Sequence, residues 1–267
     1  MRSDRTGSRQ LMKMEQDLSP RDREIVRMVA DLRLMSGHQI AEVHFSAAVE
    51  SSSETAERVA RRVLQKMTER RLLLRLEREV GGLRGGSGSF IYALGPVGQR
   101  VLALDGPRRR FREPSTTFAE HTLAVADLVV SLKLSARSEA IELLSIEPEP
   151  TSWRQFQTAA GNGVLRPDLF VSLGVGAYEH RWFIEVDLGT EHFPALLRKC
   201  RVYQSYFQSG AEQSNHGVFP RVCWAMTDTR RAQRLEETIA KDRKLTSELF
   251  VCVDMDESVR TVSGSAS

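Results

Sequence analysis

The chain has 267 residues, 41% of them hydrophobic and 27% charged, with 18 Gly, 9 Pro and 3 Cys. That is a globular composition, and it excludes a disordered tail protein, a collagen-like fibre and a disulfide scaffold. The net charge of +3 conceals an asymmetry: residues 1–113 hold 22 Lys and Arg against 15 Asp and Glu, a net of +7, whereas residues 114–267 hold 16 against 20, a net of −4. A basic half joined to an acidic half suggests a polyanion-binding module attached to a second domain. No apolar run reaches the roughly 18 residues that a membrane helix needs. The first residues lack an apolar h-region, so no signal peptide is expected and the expected location is the cytoplasm. Cys200, Cys223 and Cys252 are odd in number, widely spaced and set among apolar residues. They read as buried reduced thiols, and without a Cys-x-x-Cys no zinc site is expected.

Residues 1–17 are polar and are expected to be disordered. Ser19-Pro20 then opens a helix, with Ser19 as N-cap and Pro20 at the first helical position. Ile25, Val26, Met28, Val29 and Leu32 form its apolar stripe, and Ser36-Gly37 ends it. A second short helix is expected over 38–45. The third, over 54–70, carries two faces: Val59, Val63, Leu64 and Met67 recur at helical spacing, while Arg58, Arg61, Arg62, Gln65 and Lys66 fall outside that stripe. A helix that docks on a core and enters a DNA groove needs this division. Arg reads guanine bidentately and Gln reads adenine; the alternative for such a face is a solvated surface. Residues 72–78 and 89–94 read as two strands joined by a glycine-crowded loop, with Arg84 at its tip placed to reach a minor groove or a phosphate. The loop lacks the Gly-x-x-x-x-Gly-Lys-Ser/Thr pattern of a nucleotide site. A closing helix is expected over 96–104. Helix, helix, basic helix, hairpin is the order of a winged-helix DNA-binding domain, which we place at 18–105.

Residues 106–115 form a turn-rich basic joint containing Arg108, Arg109, Arg110 and Arg112. It reads either as a solvated linker or as an electrostatic extension of the DNA footprint. From 116 to 255 the pattern is helix (116–136), strands (141–146, 168–173, 181–187), helix (192–208), strand (218–226), helix (230–240) and strand (249–253). The apolar strands suit a sheet covered by helices. Residues 153–165 read as a long loop, and 256–267 as a disordered tail. The fold class is therefore α+β / α/β: an N-terminal winged helix-turn-helix followed by an α/β domain.

Arg166-Pro167-Asp168-Leu169, then Trp182-Phe183-Ile184-Glu185-Val186-Asp187-Leu188-Gly189-Thr190-Glu191, then Lys199 and Tyr203 one helix later carry a resemblance. The α-β-β-β-α-β order with these acids resembles the core of the PD-(D/E)XK nuclease superfamily. Together with the winged helix, it resembles the replication-relaxation family of plasmid and mobile-element proteins. Asp168 opens one strand and Glu185 ends a neighbouring one, so the two carboxylates are placed to meet at one sheet edge. Glu185 and Asp187, two apart, share a face. Three converging carboxylates repel unless a hard cation, Mg²⁺ or Mn²⁺, sits between Asp168, Glu185 and Asp187. Nucleases of the superfamily carry a Lys two residues after the acid; here that position is Asp187. Lys199 is placed to substitute from the next helix, with Tyr203 one turn on, and Glu120 or its neighbour His121 to approach from the first helix. Tyr203, Tyr206 and Phe207 also read as ordinary helix packing. His180, His192 and His216 have no partners at ligand spacing.

The departure at Asp187 leans the reading away from catalysis. The resemblance then implies a DNA-binding protein of a plasmid or mobile element, acting in replication, DNA relaxation or transfer, with a degenerate nuclease-like domain. Its expected partners are double-stranded DNA, a second copy on paired half-sites, and replication or transfer proteins; binding needs no cofactor. One alternative is an active Mg²⁺- or Mn²⁺-dependent endonuclease or nickase. The other is a winged-helix transcriptional regulator whose second domain dimerises or binds a partner. No Gly-x-Ser-x-Gly and no Cys in a basic setting supports nucleophilic catalysis.

Overall fold

The computed structural model describes residues 8–46, 53–76, 90–103, 119–138, 141–158 and 161–264. The chain divides into two compact units, Met1–Val130 and Ser131–Ser267. The glycine-crowded loop with Arg84 and the basic joint at 106–115 lie outside the described residues. Among those residues, no helix is long and apolar enough to cross a membrane.

In the first unit, α1 (Ser8–Gln16) occupies sequence that was expected to be disordered, and Leu11 is the side chain that it buries. α2 (Pro20–Leu32) starts as anticipated: Ser19 Oγ accepts from the Asp22 N–H, and Ile25, Val26, Met28, Val29 and Leu32 are all buried. It stops earlier than expected, because Arg33 takes a left-handed φ of 67°. Residues 34–36 then form a strand, β1 (Leu34–Ser36). Ser36 turns out to be a start signal: its side chain and that of Gln39 make a reciprocal capping box for α3 (Gly37–His44).

α4 (Ser53–Glu69) follows, and its buried stripe is Ala56, Ala60, Leu64 and Met67, with Val59 and Val63 half-buried. The stripe is thus rotated from the expected one, toward Ala56 and Ala60. β2 (Leu73–Leu76) and β3 (Ile91–Leu94) pair antiparallel, and β3 also pairs with β1, giving the order β1-β3-β2. α5 (Pro96–Leu102) is hydrogen-bonded onto the turn before β2, through Gly95 N–H to the Leu72 carbonyl (2.8 Å) and Val97 N–H to the Arg71 carbonyl (3.0 Å). α6 (Ala119–Ser138) brings Ala119 and Leu123 against Leu34, Ile91 and Ala93.

The second unit is built on a five-stranded mixed sheet. Its strands are β4 (Ile141–Pro148), β7 (Leu169–Val175), β8 (Tyr178–Asp187), β9 (Arg221–Met226) and β10 (Phe250–Asp254), in the order β10-β9-β8-β7-β4. β7 runs antiparallel to both β4 and β8, whereas β8, β9 and β10 are parallel. The β7–β8 turn holds Gly176 at a left-handed φ of 58°. α7 (Phe193–Ser209) and α9 (Thr229–Lys241) are the crossovers that parallel pairing requires. They share one core with Phe183, Val222, Trp224 and Phe250, in which Phe183 stands 5.7 Å from Tyr203 and Tyr203 6.3 Å from Phe250. A short helix, α8 (Ala211–His216), follows α7.

Two further expectations are corrected. Residues 153–165 hold a hairpin, β5 (Arg154–Thr158) with β6 (Gly161–Leu165), that buries Phe156 and Leu165. Its glycines and amides masked the alternation. In place of the expected tail, α10 (Met255–Val262) is capped by Asp254 and buries Ser258 and Val262. All three cysteines are free and buried, and burial pushes the Cys200 and Cys223 thiols up to about 12.

The approach of α5 to the β2 turn gives a test. A Cβ at Gly98 would stand 2.2 Å from the Leu72 carbonyl oxygen. Gly98→Ala should therefore lower stability by about 1–3 kcal/mol in urea unfolding, the usual cost of overpacking. An unchanged midpoint would mean that α5 is not held there.

Candidate functional site

The C-terminal half of β8 must carry carboxylates through an otherwise apolar layer. Glu185 is 1% exposed. Its neighbours come from α7, where Lys199 and Tyr203 lie one turn apart on the same face. The Tyr203 hydroxyl donates to Glu185 Oε1 at 2.5 Å, and Lys199 Nζ pairs with Glu185 Oε2. Asp168, just ahead of β7, accepts at Oδ2 from the Val186 N–H (2.8 Å), while its Oδ1 lies 3.9 Å from Lys199 Nζ. The side chains of Asp168 and Lys199 are 11% and 30% exposed, so the cluster opens to solvent along the lysine.

Electrostatics follow from that burial. Desolvation raises the Glu185 carboxyl from 4.5 to about 8, with Asp168 adding to the rise and Lys199 and Tyr203 opposing it. Burial works against the Lys199 ammonium, but the charges of Glu185 and Asp168 outweigh it and hold its proton more tightly than usual. Tyr203 is also raised, first by burial and then by Glu185, so it stays a donor.

The three carboxylates expected to converge do not. Asp187 shares the strand face with Glu185 but lies two residues on, about 7 Å further along the strand. There it meets α9 rather than α7. Arg231 Nε donates to Asp187 Oδ2 at 2.5 Å and its NH2 to Oδ1 at 3.3 Å, while the Gly189 N–H also donates to Oδ1 at 3.2 Å. The same guanidinium donates to the Glu191 carbonyl, tying the loop after β8 to α9. Asp187 is the anionic half of a strut.

A divalent cation does not fit this arrangement. Each oxygen of Asp168 and Glu185 already faces an N–H, a hydroxyl or an ammonium, and Asp187 is taken by Arg231. Among the described residues, no three His, Cys, Asp or Glu side chains form a group that could hold a metal ion. Glu120 is exposed in the first turn of α6 and belongs to the first unit; the bonds of the cluster are made without it. What the cluster offers is one partly exposed cation seated on two acids.

In the first unit, Arg58, Arg61, Arg62, Gln65 and Lys66 are all exposed on α4, opposite its buried stripe. Arg61 lies 4.0 Å from Glu57, and the Gln65 amide donates to Glu69 at 3.1 Å. Arg84 lies outside the described residues.

Sequence reasoning missed Arg231, although an arginine pair at a helix start with no acid in its first turn was the available signal. It also missed a second buried charge cluster. There Glu212 accepts from the Tyr206 hydroxyl and lies 3.7 Å from both Arg154 and Arg181. Arg154 also pairs with Glu147 at 2.9 Å and stacks 5.0 Å from Phe170. This cluster fastens β5 to α7 and α8; no local spacing announces it.

Breaking a buried pair leaves an uncompensated charge. Lys199→Ala should lower stability by about 3 kcal/mol above pH 8, where Glu185 is ionised, and the double change Glu185→Gln with Lys199→Met should restore most of it. The pH sign is fixed. A carboxyl whose folded pKa of about 8 exceeds its ordinary 4.5 costs stability as pH rises between the two. The Lys199→Ala deficit should therefore be smallest where Glu185 is protonated in both variants and grow as pH rises through about 8; urea unfolding at pH 6 and pH 9.5 reads it, and equal deficits would contradict the pairing.

Searches of curated proteins and of solved structures give no match. A family model described as replication-relaxation does match, across residues 26–222, a span that runs through both units and includes α4, Asp168, Glu185, Lys199 and Tyr203. The chain belongs to the replication-relaxation family.

Proposed function

We propose that the chain is a DNA-binding protein of a plasmid or mobile genetic element, acting in replication, DNA relaxation or transfer. The observation that carries this reading is α4, with four cations and a glutamine on its exposed side and Ala56, Ala60, Leu64 and Met67 buried beneath. In this reading the order α2, β1, α3, α4, β2, β3 is a winged helix, and α4 lies in the major groove. Its arginines contact phosphates and guanine edges, and Gln65 reaches adenine.

The second unit is read as a nuclease-like platform of the PD-(D/E)XK kind. Its antiparallel β4-β7-β8 meander, the α7 crossover and the parallel β9 support that reading. The superfamily's lysine position is Asp187, turned to Arg231, and Lys199 closes over the two remaining acids. Such a platform holds a DNA backbone or a protein partner without cutting.

The test is fluorescence anisotropy on labelled duplex DNA over a series of salt concentrations. Changing Arg58, Arg61, Arg62 and Lys66 together to Ala should weaken binding and flatten the slope of log affinity against log salt by roughly 0.9 for each phosphate no longer neutralised. Gln65→Ala should change sequence preference more than slope. Wild-type affinity and slope in the four-residue variant would overturn the assignment of α4.

A further inference from the structure

Residues 131–267 hold 16 Lys and Arg against 18 Asp and Glu, a net of −2, yet α7 and α9 of the second unit carry exposed cations. α9 opens with Thr229-Arg230-Arg231 and has no acid in its first turn, although positive charge at a helix N-terminus opposes the helix dipole. Arg231 is answered by Asp187. Arg230 and Arg234 are exposed, as is Arg198 on α7. Among the described residues none of these three takes part in an ion pair. Of the acids near them in sequence, Asp228 caps α9 through the N–H groups of Arg230 and Arg231, Asp187 holds Arg231, and Glu237 pairs with Lys241 at 3.3 Å, while Glu191 and Glu236 are exposed.

The edge is also held in place. The Arg234 guanidinium stacks 4.4 Å from the ring of Phe193, the first residue of α7. Arg231 ties the intervening loop through the Glu191 carbonyl. Arg198 is the chain neighbour of Lys199, whose ammonium sits on Glu185 and Asp168. Planar, permanently charged guanidiniums on two fastened helices suit the repeated phosphates of a nucleic-acid backbone.

We infer that Arg198, Arg230 and Arg234 form a second DNA-binding surface, a ridge on the α7–α9 edge that grips the duplex backbone beside the Asp168–Glu185–Lys199 cluster. The inference rests on the DNA-binding reading and gives the second unit its own hold on the duplex, separate from α4. Backbone binding carries no sequence information, so the ridge adds affinity equally on all sequences.

The experiment uses the full chain and a labelled duplex of arbitrary sequence, titrated by anisotropy across a salt series. The variants are R198Q/R230Q/R234Q and the charge-preserving R198K/R230K/R234K. The glutamine triple should lose at least tenfold in affinity at low salt and flatten the log–log slope by roughly 2–3, while the lysine triple keeps the wild-type slope. If the glutamine triple fails to fold, Arg230→Gln alone should flatten the slope by roughly 0.9, the value for one phosphate. Wild-type binding by the glutamine variants, with binding abolished in the α4 variant, overturns the ridge and leaves the α4 reading intact. Weakened binding in the glutamine variants with an unaffected α4 variant supports the ridge and overturns α4. No duplex binding by the wild-type chain overturns both.

Discussion

A carboxylate in the middle of an apolar strand has to be answered by the layer that covers it. Glu185 is that residue, and α7 answers it with Lys199 and Tyr203 at one-turn spacing. Much of the second unit follows from this requirement. It fixes the rotation of α7 on the sheet, and with it the inward side of Leu196, Cys200 and Tyr206. Asp168 joins by accepting from the Val186 N–H, which ties the start of β7 to the end of β8. Ion pairs of this kind add little net stability but are costly to break by halves. The cluster therefore specifies an arrangement more than it strengthens one.

Two acids that share a strand face have been separated by the helices above them. Glu185 is covered by α7, and Asp187 by α9 through Arg231. One strand thus anchors both crossover helices, and the loop between β8 and α7 is held from α9. This division keeps the two acids apart, each with its own cationic partner. The carboxylates are answered by the protein's own cations, Lys199 and Arg231.

Most helices were legible because each had both an apolar period and a cap. α2 shows Ser19, Pro20 and five buried residues in register; α7 and α9 fall within a residue or two of their expected ends. The site was legible as residue types: Asp168, Glu185, Lys199 and Tyr203 stand together. What could not be read locally depends on partners distant in sequence. Arg231 finds Asp187 across 44 residues, and Gln39 donates to Asp127 across 88. The β5–β6 hairpin hid because its outward face of Gln155, Gln157 and Asn162 resembles a loop. Ser36-Gly37 looked like a stop because a cap residue ends one element and begins another equally well.

If Lys199 and Arg231 hold the second unit's acids in a closed, non-cutting state on DNA, the chain binds a duplex and leaves it whole. Supercoiled plasmid incubated with the protein, with and without Mg²⁺ or Mn²⁺, tests this most directly when Asp168→Ala and Glu185→Ala are run alongside. The expected result is plasmid that is retarded but topologically intact in every lane. Metal-dependent nicking by the wild-type chain, abolished by both substitutions, would contradict the closed state and make the cluster a catalytic centre.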